Sequence, residues 1–356
     1  MILITAYQSG SARALAPVIR ALEQAGEGPI TVAAFPLAAQ AFAEGKIQSE
    51  IVEDIEAVCQ HLGPSTRITV TGTSWIPKLE AEIWMRSRKA GIPSLAVLDN
   101  WNEIGRRFTW PEDKPAFHSS PDCIAVMDEW TRRDMQNRGC PGDKIAVTGQ
   151  PALDVCSEPR QIGKEEARKR LGLPSDAYII LFISEAIETF FGKGTPLSKE
   201  HPGYDDEVVL EQLLTALENS TIPDVMVIAK PHPSEEAERS GKVLEAFPKI
   251  KSKVAGKESG RVLAQAADAV VGTTSLLLLE AFLMKRPVCA HRPGAHRKSE
   301  MLEAHSGWIP ETKTVPELSQ WLQRLPESTR AGAVIKPAAK AVCTLIQKMI
   351  RAPLSR

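Results

Sequence analysis

The chain has 356 residues, 43% of them hydrophobic and 24% charged, a length that at about 150 residues per domain predicts two domains, each able to bury its own core. Its 43 Lys and Arg balance 44 Asp and Glu, and a formal charge of -1 gives no global field for gripping a nucleic-acid backbone, which excludes a general DNA or RNA binder. The 6 cysteines (Cys59, Cys123, Cys140, Cys156, Cys289 and Cys343) form no CxxC pair, and the N-terminal MILITAYQSG has neither a basic segment nor a membrane-spanning apolar run of about 20 residues. Reduced thiols and a cytoplasmic location are the expectation.

Short apolar, β-rich runs alternate with longer amphipathic stretches from end to end, the pattern of βα units that build a parallel sheet. A first series has strands predicted at Ile2 to Ala6, Ile30 to Ala34, Ile68 to Thr71, Ser94 to Leu98, Cys123 to Met127 and Ile145 to Thr148. The stretch Gly149 to Gly163 carries two prolines and little periodicity, and reads as a linker with the boundary near residue 158. Residues 1-157 then form one domain and 158-356 the other. A helix is expected over Arg160 to Leu173, stopped by Gly172 and Pro174. The second series has strands at Tyr178 to Ile183, Val225 to Ala229, Ala269 to Val271 and Val288 to Ala290. Gly192 to Tyr204, rich in Gly and Pro, reads as a functional loop. The tail Ala331 to Arg356 has five Lys or Arg and no acid around Val342, Ile346, Met349 and Ile350. It reads as a helix closing the second domain, and its basic amphipathic pattern also fits peripheral contact with an anionic membrane surface.

Ligands of open parallel sheets bind beyond the carboxyl ends of the strands, so four strand exits carry the functional reading. After the first strand comes Gln8-Ser9-Gly10-Ser11-Ala12, where small residues allow close approach to the backbone and a helix start favours an anion. A plain β-to-α turn accounts for it equally well. Lys230-Pro231-His232-Pro233 places a Lys and a His two positions apart on a rigid strand exit, a pair suited to phosphate oxygens; a solvent-facing exit is the competing account. Gly272 runs into Thr273-Thr274-Ser275 and a leucine-rich helix, so hydroxyls and orphan amides point to a diphosphate. Glu280, about one and a half turns on, is placed for a ribose diol, or else lies on the wet face of an ordinary capped helix. Asp99-Asn100-Trp101-Asn102-Glu103, with Arg106, Arg107 and Phe108 behind, combines carboxylates, amides and an aromatic that can bind a sugar and supply a general base, or form a surface turn. His118, Asp128 and Glu129 are further candidates for proton transfer.

Two α/β halves, a linker, and a turn of hydroxyls followed by Glu in the second half resemble the GT-B superfamily of sugar-nucleotide glycosyltransferases and UDP-N-acetylglucosamine 2-epimerases, over nearly the whole chain. IAVTGQPALD, Ile145 to Asp154, is similar to the interdomain VTGNP motif of these families, and AYQSGSARALA to the first loop of lipid A disaccharide synthases. KPHP is similar to the phosphate-handling motif of capsule and teichoic-acid polymerases of the CDP-glycerol glycerophosphotransferase type. Thr274 and Glu280 stand where the epimerases place a diphosphate-binding Ser and a ribose-binding Glu. LDNWNEIGRRF and HPGYDDEVVLEQLLTAL resemble parts of a bacterial surface-polysaccharide group. Two departures weigh against 2-epimerase chemistry: Ser184-Glu185-Ala186-Ile187-Glu188 stands in place of an HRREN-type segment, and Thr274-Ser275-Leu276 in place of SGG.

The resemblance implies an α/β fold of two Rossmann-like domains facing across a cleft, and a metal-independent glycosyltransferase with no cofactor, active in making a bacterial surface polysaccharide or glycoconjugate. Asp99, Glu103 and His118 would be catalytic. Ser9, Gly10, Ser11, Trp101, Lys230, His232, Thr273, Thr274, Ser275 and Glu280 would bind a nucleotide-sugar, UDP-linked in the epimerases, and a carbohydrate or lipid-linked acceptor. The alternatives are a 2-epimerase or sugar-nucleotide hydrolase, a CDP-glycerol phosphoalcohol transferase, and a non-catalytic nucleotide-binding or partner-binding module.

Overall fold

The computed structural model describes residues 1-74, 78-157, 162-195, 197-325 and 336-352. The chain divides into two compact units, Met1–Val155 with Ile335–Arg356, and Cys156–Val334. In the first, seven described strands are β1 Ile2–Ala6, β2 Ile30–Ala34, β3 Glu50–Ile51, β4 Ile68–Thr71, β5 Ser94–Val97, β6 Cys123–Val126 and β7 Ile145–Val147. All pair parallel in the order β3-β2-β1-β4-β5-β6-β7. In the second, six described strands are β8 Tyr178–Ile183, β9 Val225–Lys230, β10 Lys251–Val254, β11 Ala269–Gly272, β12 Val288–His291 and β13 Glu311–Thr312. They too are parallel, in the order β10-β9-β8-β11-β12-β13.

The buried central strands read as continuous apolar runs because helices cover both faces of a parallel sheet. Ile2, Leu3 and Ile4 have no exposed surface, nor do Ile179, Ile180, Leu181 and Phe182. Three strands escape the sequence pattern. Each of β3, β10 and β13 lies at a sheet edge, and β3 is wholly exposed while β10 reads Lys-Ser-Lys-Val. An edge strand buries little and therefore carries little apolar signal. In each sheet the strand order reverses beside the first strand, between β1 and β4 and between β8 and β11, and such a reversal opens a crevice at the carboxyl ends.

The tail corrects the expected domain assignment. The helix Ala338–Arg351 packs in the first unit, not the second, with Val342, Cys343 and Ile346 in one core with Leu15, Ile19 and Leu22 of the helix Ser9–Gln24. The interdomain-type motif secures it. Asp154 accepts hydrogen bonds from the amides of Ala338 and Ala339, both at 2.8 Å, and so caps the helix. Gly149 has φ of 94°, and a Cβ there would lie 2.8 Å from Ala338 Cβ, so only glycine fits the backbone and the contact together. Because the apolar face is spent inside the unit, the exposed Lys340, Lys348 and Arg351 leave the helix charge alone for any membrane surface. The boundary near residue 158, the start of the helix expected from Arg160, and the tail residues 331-335 and 353-356 lie outside the described residues.

The exit of β4 packs against the start of the first helix so closely that a Cβ on Gly72 would stand 2.2 Å from Ser11 Cβ. Gly72→Ala is expected to destabilise the first unit by about 1 to 3 kcal/mol through overpacking, read as a lower urea midpoint at unchanged slope.

Candidate functional site

In the first unit the carboxyl ends of β1, β4 and β5 meet at the strand-order reversal. Ser11, fully buried, donates its hydroxyl to the Thr73 carbonyl at 2.6 Å. Thr73 in turn donates to Asp99 Oδ1 at 2.7 Å. Arg107 donates to the same oxygen at 2.8 Å, to Thr73 Oγ1 at 3.1 Å and to the Asn102 carbonyl at 3.0 Å. Asp99 and Arg107 are 6% and 2% exposed, so this is a buried ion pair, and Gln150 fixes its backbone by donating to the Asp99 carbonyl at 2.6 Å. Asp99 Oδ2 lies where it would stand 2.6 Å from a Cβ on Gly10. The small residues of the first loop therefore admit the unit's own Asp99 and Thr73, a correction to the expectation that they open the backbone to a ligand. Of that loop, Ser9 and Gly10 remain half-buried.

Trp101 is likewise corrected. It is 2% exposed, and its indole donates to Asp128 Oδ2 at 2.7 Å. Asp128 Oδ1 meanwhile caps the helix Glu129–Asn137 through the Thr131 amide at 2.7 Å, so both residues hold the strand exit rather than face a substrate. Glu129 is exposed and pairs with Arg132 at 2.8 Å. Glu103 is half-buried and sits at φ of 58°, an uncommon conformation for a non-glycine residue that concentrates at functional turns. His118 is exposed on the following loop, its amide donating to the Pro115 carbonyl at 3.2 Å.

Sequence reasoning passed over Glu80. It opens the helix Lys78–Lys89, is 4% exposed, and accepts from the Ser74 hydroxyl at 2.8 Å. Its Oε1 is buried with no partner among the described residues. Burial pushes the carboxyl up to about 7, against the downward pull of the Ser74 bond, with Asp99 raising it further and Arg107 lowering it.

In the second unit the reversal between β8 and β11 brings Glu185 against Thr273 and Thr274. Glu185 Oε2 accepts from the Thr273 hydroxyl, from the Thr274 amide at 2.7 Å and from the Thr274 hydroxyl at 2.8 Å. The donors expected to hold a diphosphate thus hold a carboxylate of the same unit. Ser275 caps the helix Leu276–Leu283, its hydroxyl accepting from the Leu277 amide at 3.3 Å. Glu185 was legible only as a departure from a family motif; its position two residues after β8 was the available signal.

Asp206 holds the turn that aims Glu185. It accepts from the amides of Glu185 at 2.8 Å and Ile187 at 2.7 Å, bracketing Ala186, which has φ of 57°. Burial raises its carboxyl to about 7, offset by those two amides and raised again by Glu185 and Glu235. The phenol of Tyr204, buried beside them, is pushed up to about 12 by burial first and by Glu185 second, and accepts from Arg292 Nε at 3.2 Å. This places the end of the Gly192 to Tyr204 loop at the strand exits.

Lys230 ends β9 and donates to the Gly256 carbonyl at 3.0 Å. His232 Nδ1 accepts from the Ser234 amide at 3.1 Å, so the neutral ring carries its proton on Nε2, a donor suited to a phosphate oxygen. Its edge meets Phe190, centroids 5.6 Å apart, and Glu235 Oε2 accepts from the His232 amide at 3.3 Å and from the Ser184 hydroxyl. Glu280 is neither on a wet face nor open. It is 5% exposed, and Arg261 engages both its oxygens, Nε to Oε2 at 2.9 Å and Nη2 to Oε1 at 2.6 Å. Among the described residues no group of three or more His, Cys, Asp or Glu is placed to hold a metal ion, and no helix is long and apolar enough to cross a membrane.

Comparison with solved structures shows the fold. The UDP-GlcNAc 2-epimerase of Neisseria meningitidis bound to UDP-GlcNAc is 14% identical, covers 98% of this chain and 99% of its own, and has a TM-score of 0.68. The UDP-GlcNAc 2-epimerase of Methanocaldococcus jannaschii is 15% identical, with coverage of 98% and 99% and a TM-score of 0.69. HepE of Anabaena in complex with UDP-glucose is 15% identical, with coverage of 99% and 97% and a TM-score of 0.61. Both sheets and their interleaved helices therefore have the GT-B α/β fold. No curated protein sequence matches the chain. The family model described as CDP-Glycerol:Poly(glycerophosphate) glycerophosphotransferase matches residues 119–304, more than half of the chain, including Lys230 to Pro233 and Thr273 to Glu280. With that match spanning the second unit's strand exits, the chain belongs to the CDP-glycerol:poly(glycerophosphate) glycerophosphotransferase family.

Proposed function

We propose that the chain transfers a group from a nucleoside-diphosphate-linked donor to an acceptor hydroxyl, in the making of a bacterial surface polymer or glycoconjugate, without a metal ion or cofactor. The family match across the second unit's strand exits carries this reading. The transferred group is a phosphoalcohol such as glycerol phosphate. In that reaction the acceptor oxygen bonds to phosphorus, the diphosphate bridge breaks, and a nucleoside monophosphate leaves. Lys230 and the Nε2 proton of His232 take the phosphate charge, a fixed electrostatic complement to the charge that develops on the leaving group. Thr273, Thr274 and Ser275 form the floor of the donor site.

The first unit takes the acceptor, a carbohydrate or lipid-linked chain. Glu103, the more accessible of its two candidate carboxylates, is the base for the acceptor proton, and Asp99 holds the floor beneath it through Arg107. Work in the cytoplasm, with Lys340, Lys348 and Arg351 drawn to an anionic membrane face, fits a lipid-linked acceptor.

Sugar transfer is the second reading, favoured by a fold shared with chains bound to UDP-GlcNAc and UDP-glucose. The nucleotide released separates the two. With CDP-glycerol and a glycerol-phosphate polymer or glycolipid acceptor the expected product is CMP; a sugar transferase releases UDP from a UDP-sugar. Donor consumed without acceptor identifies a hydrolase or epimerase, and donor bound without turnover a binding module. His232→Ala and Lys230→Ala are each expected to lower kcat/KM by about 100-fold or more, as for loss of one charge-stabilising donor. Full activity in both variants removes this strand exit from the site.

A further inference from the structure

We infer that Glu185 is a specificity-determining residue of the donor site, reading a hydroxyl of the glycerol or sugar that the diphosphate carries. The inference rests on the donor reading above and deepens it. Every side-chain hydrogen bond Glu185 makes among the described residues falls on Oε2, where two threonine hydroxyls and one amide converge. An ionised carboxylate accepts at both oxygens, so Oε1 keeps its capacity for a further donor. The side chain is half-exposed at the strand-order reversal, the place where ligands of this architecture bind.

Three charge-assisted bonds on one oxygen make the carboxylate a fixed feature of the site, and Asp206 locks the turn that carries it. A fixed carboxylate repels phosphate and attracts hydroxyl. Charge separation then follows along the sheet edge. Phosphate goes toward Lys230 and His232, and the polyol part of the donor toward Glu185. Arg261 engages both oxygens of Glu280, and Glu235 is turned to the Ser184 hydroxyl and the His232 amide, whereas Glu185 keeps Oε1 uncommitted beside Thr273 and Thr274.

A site built to bond a hydroxyl rejects the analogue that lacks it, because the protein group is left unpaired. The test is calorimetric binding of CDP-glycerol and of its deoxy analogue CDP-propanediol, and of UDP-glucose and its deoxy-sugar counterparts, to the wild type, Glu185→Gln and Glu185→Ala. The wild type is expected to prefer the hydroxylated member of one pair by roughly tenfold or more. Glu185→Ala is expected to erase that preference, while CDP or UDP alone binds as well as or better than before, since a negative charge near the phosphates is gone. Glu185→Gln keeps an acceptor for the threonines and is expected to retain part of the preference, which guards against an alanine variant that does not fold. Equal binding of the paired ligands by the wild type, or an unchanged preference in both variants, overturns the assignment while leaving the donor site standing. If the wild type binds no nucleotide conjugate, the donor reading itself fails and Glu185 falls with it.

Discussion

Arg107→Ala is expected to cost the first unit about 3 to 5 kcal/mol, because it leaves the Asp99 carboxylate buried without a counter-charge. Arg107 is also the shared donor to Thr73 and the Asn102 carbonyl, so the exits of β4 and β5 lose their common partner. Against a typical domain stability of about 5 to 15 kcal/mol this is a large fraction, and it corresponds to a fall of about 6 to 20 °C in the melting temperature of the first unit. The double variant Arg107→Ala with Asp99→Asn tests the cause. Asparagine still accepts from Thr73 but carries no charge, so more than half of the lost stability should return. Equal instability of the single and double variants would show that packing, not charge, is what Arg107 supplies. Activity separates the roles further: with Glu103 as the base, the double variant regains turnover along with its fold.

Glu80 is expected to make the stability of the first unit fall as pH rises. Its carboxyl is raised in the folded state to about 7 from an ordinary 4.5, so the folded chain holds a proton that the unfolded chain releases. Below about pH 4.5 both states are protonated and nothing is lost; between 4.5 and 7 the unfolded state is increasingly favoured; above 7 the full penalty applies. At 1.36 kcal/mol per pKa unit the loss is about 3 kcal/mol across the window. Glu80→Gln cannot titrate and should lack this part of the slope, even where its amide fits the buried position imperfectly. Urea midpoints of the first unit's transition from pH 4.5 to 8.5 provide the measurement. Parallel slopes for wild type and variant would remove Glu80 as the titrating group. Asp206 has the same sign in the second unit, which is why the two transitions must be followed separately.

The two carboxyl groups stand in comparable places. Each lies beside a strand-order reversal and near a second carboxylate that is held by threonine donors, Asp99 in the first unit and Glu185 in the second. The first arrangement is neutralised by an arginine and closed; the second has no such cation on Glu185 among the described residues and stays half-exposed. That difference in charge balance makes the first a buried foundation and leaves the second the one on which the proposed donor site rests.

The sequence by itself determined the architecture. A strand covered on both faces is mostly apolar, so β1, β8 and β11 announce themselves, and their alternation with amphipathic helices leaves a parallel sheet as the outcome. The same pattern located the four candidate strand exits, since a residue following a buried parallel strand emerges at the edge where ligands of such sheets bind. What each of those residues touches was decided only by tertiary structure. Glu185 and Thr274 are 89 positions apart, Asp99 and Thr73 are 26 apart, and Arg261 reaches Glu280 from another helix. A hydroxyl cap for phosphate and a hydroxyl cap already occupied by a carboxylate have the same local sequence. The C-terminal helix shows the limit most plainly. Its apolar stripe demands a partner but does not name one, and two bonds from Asp154, 184 and 185 positions upstream, decide that it closes the first unit.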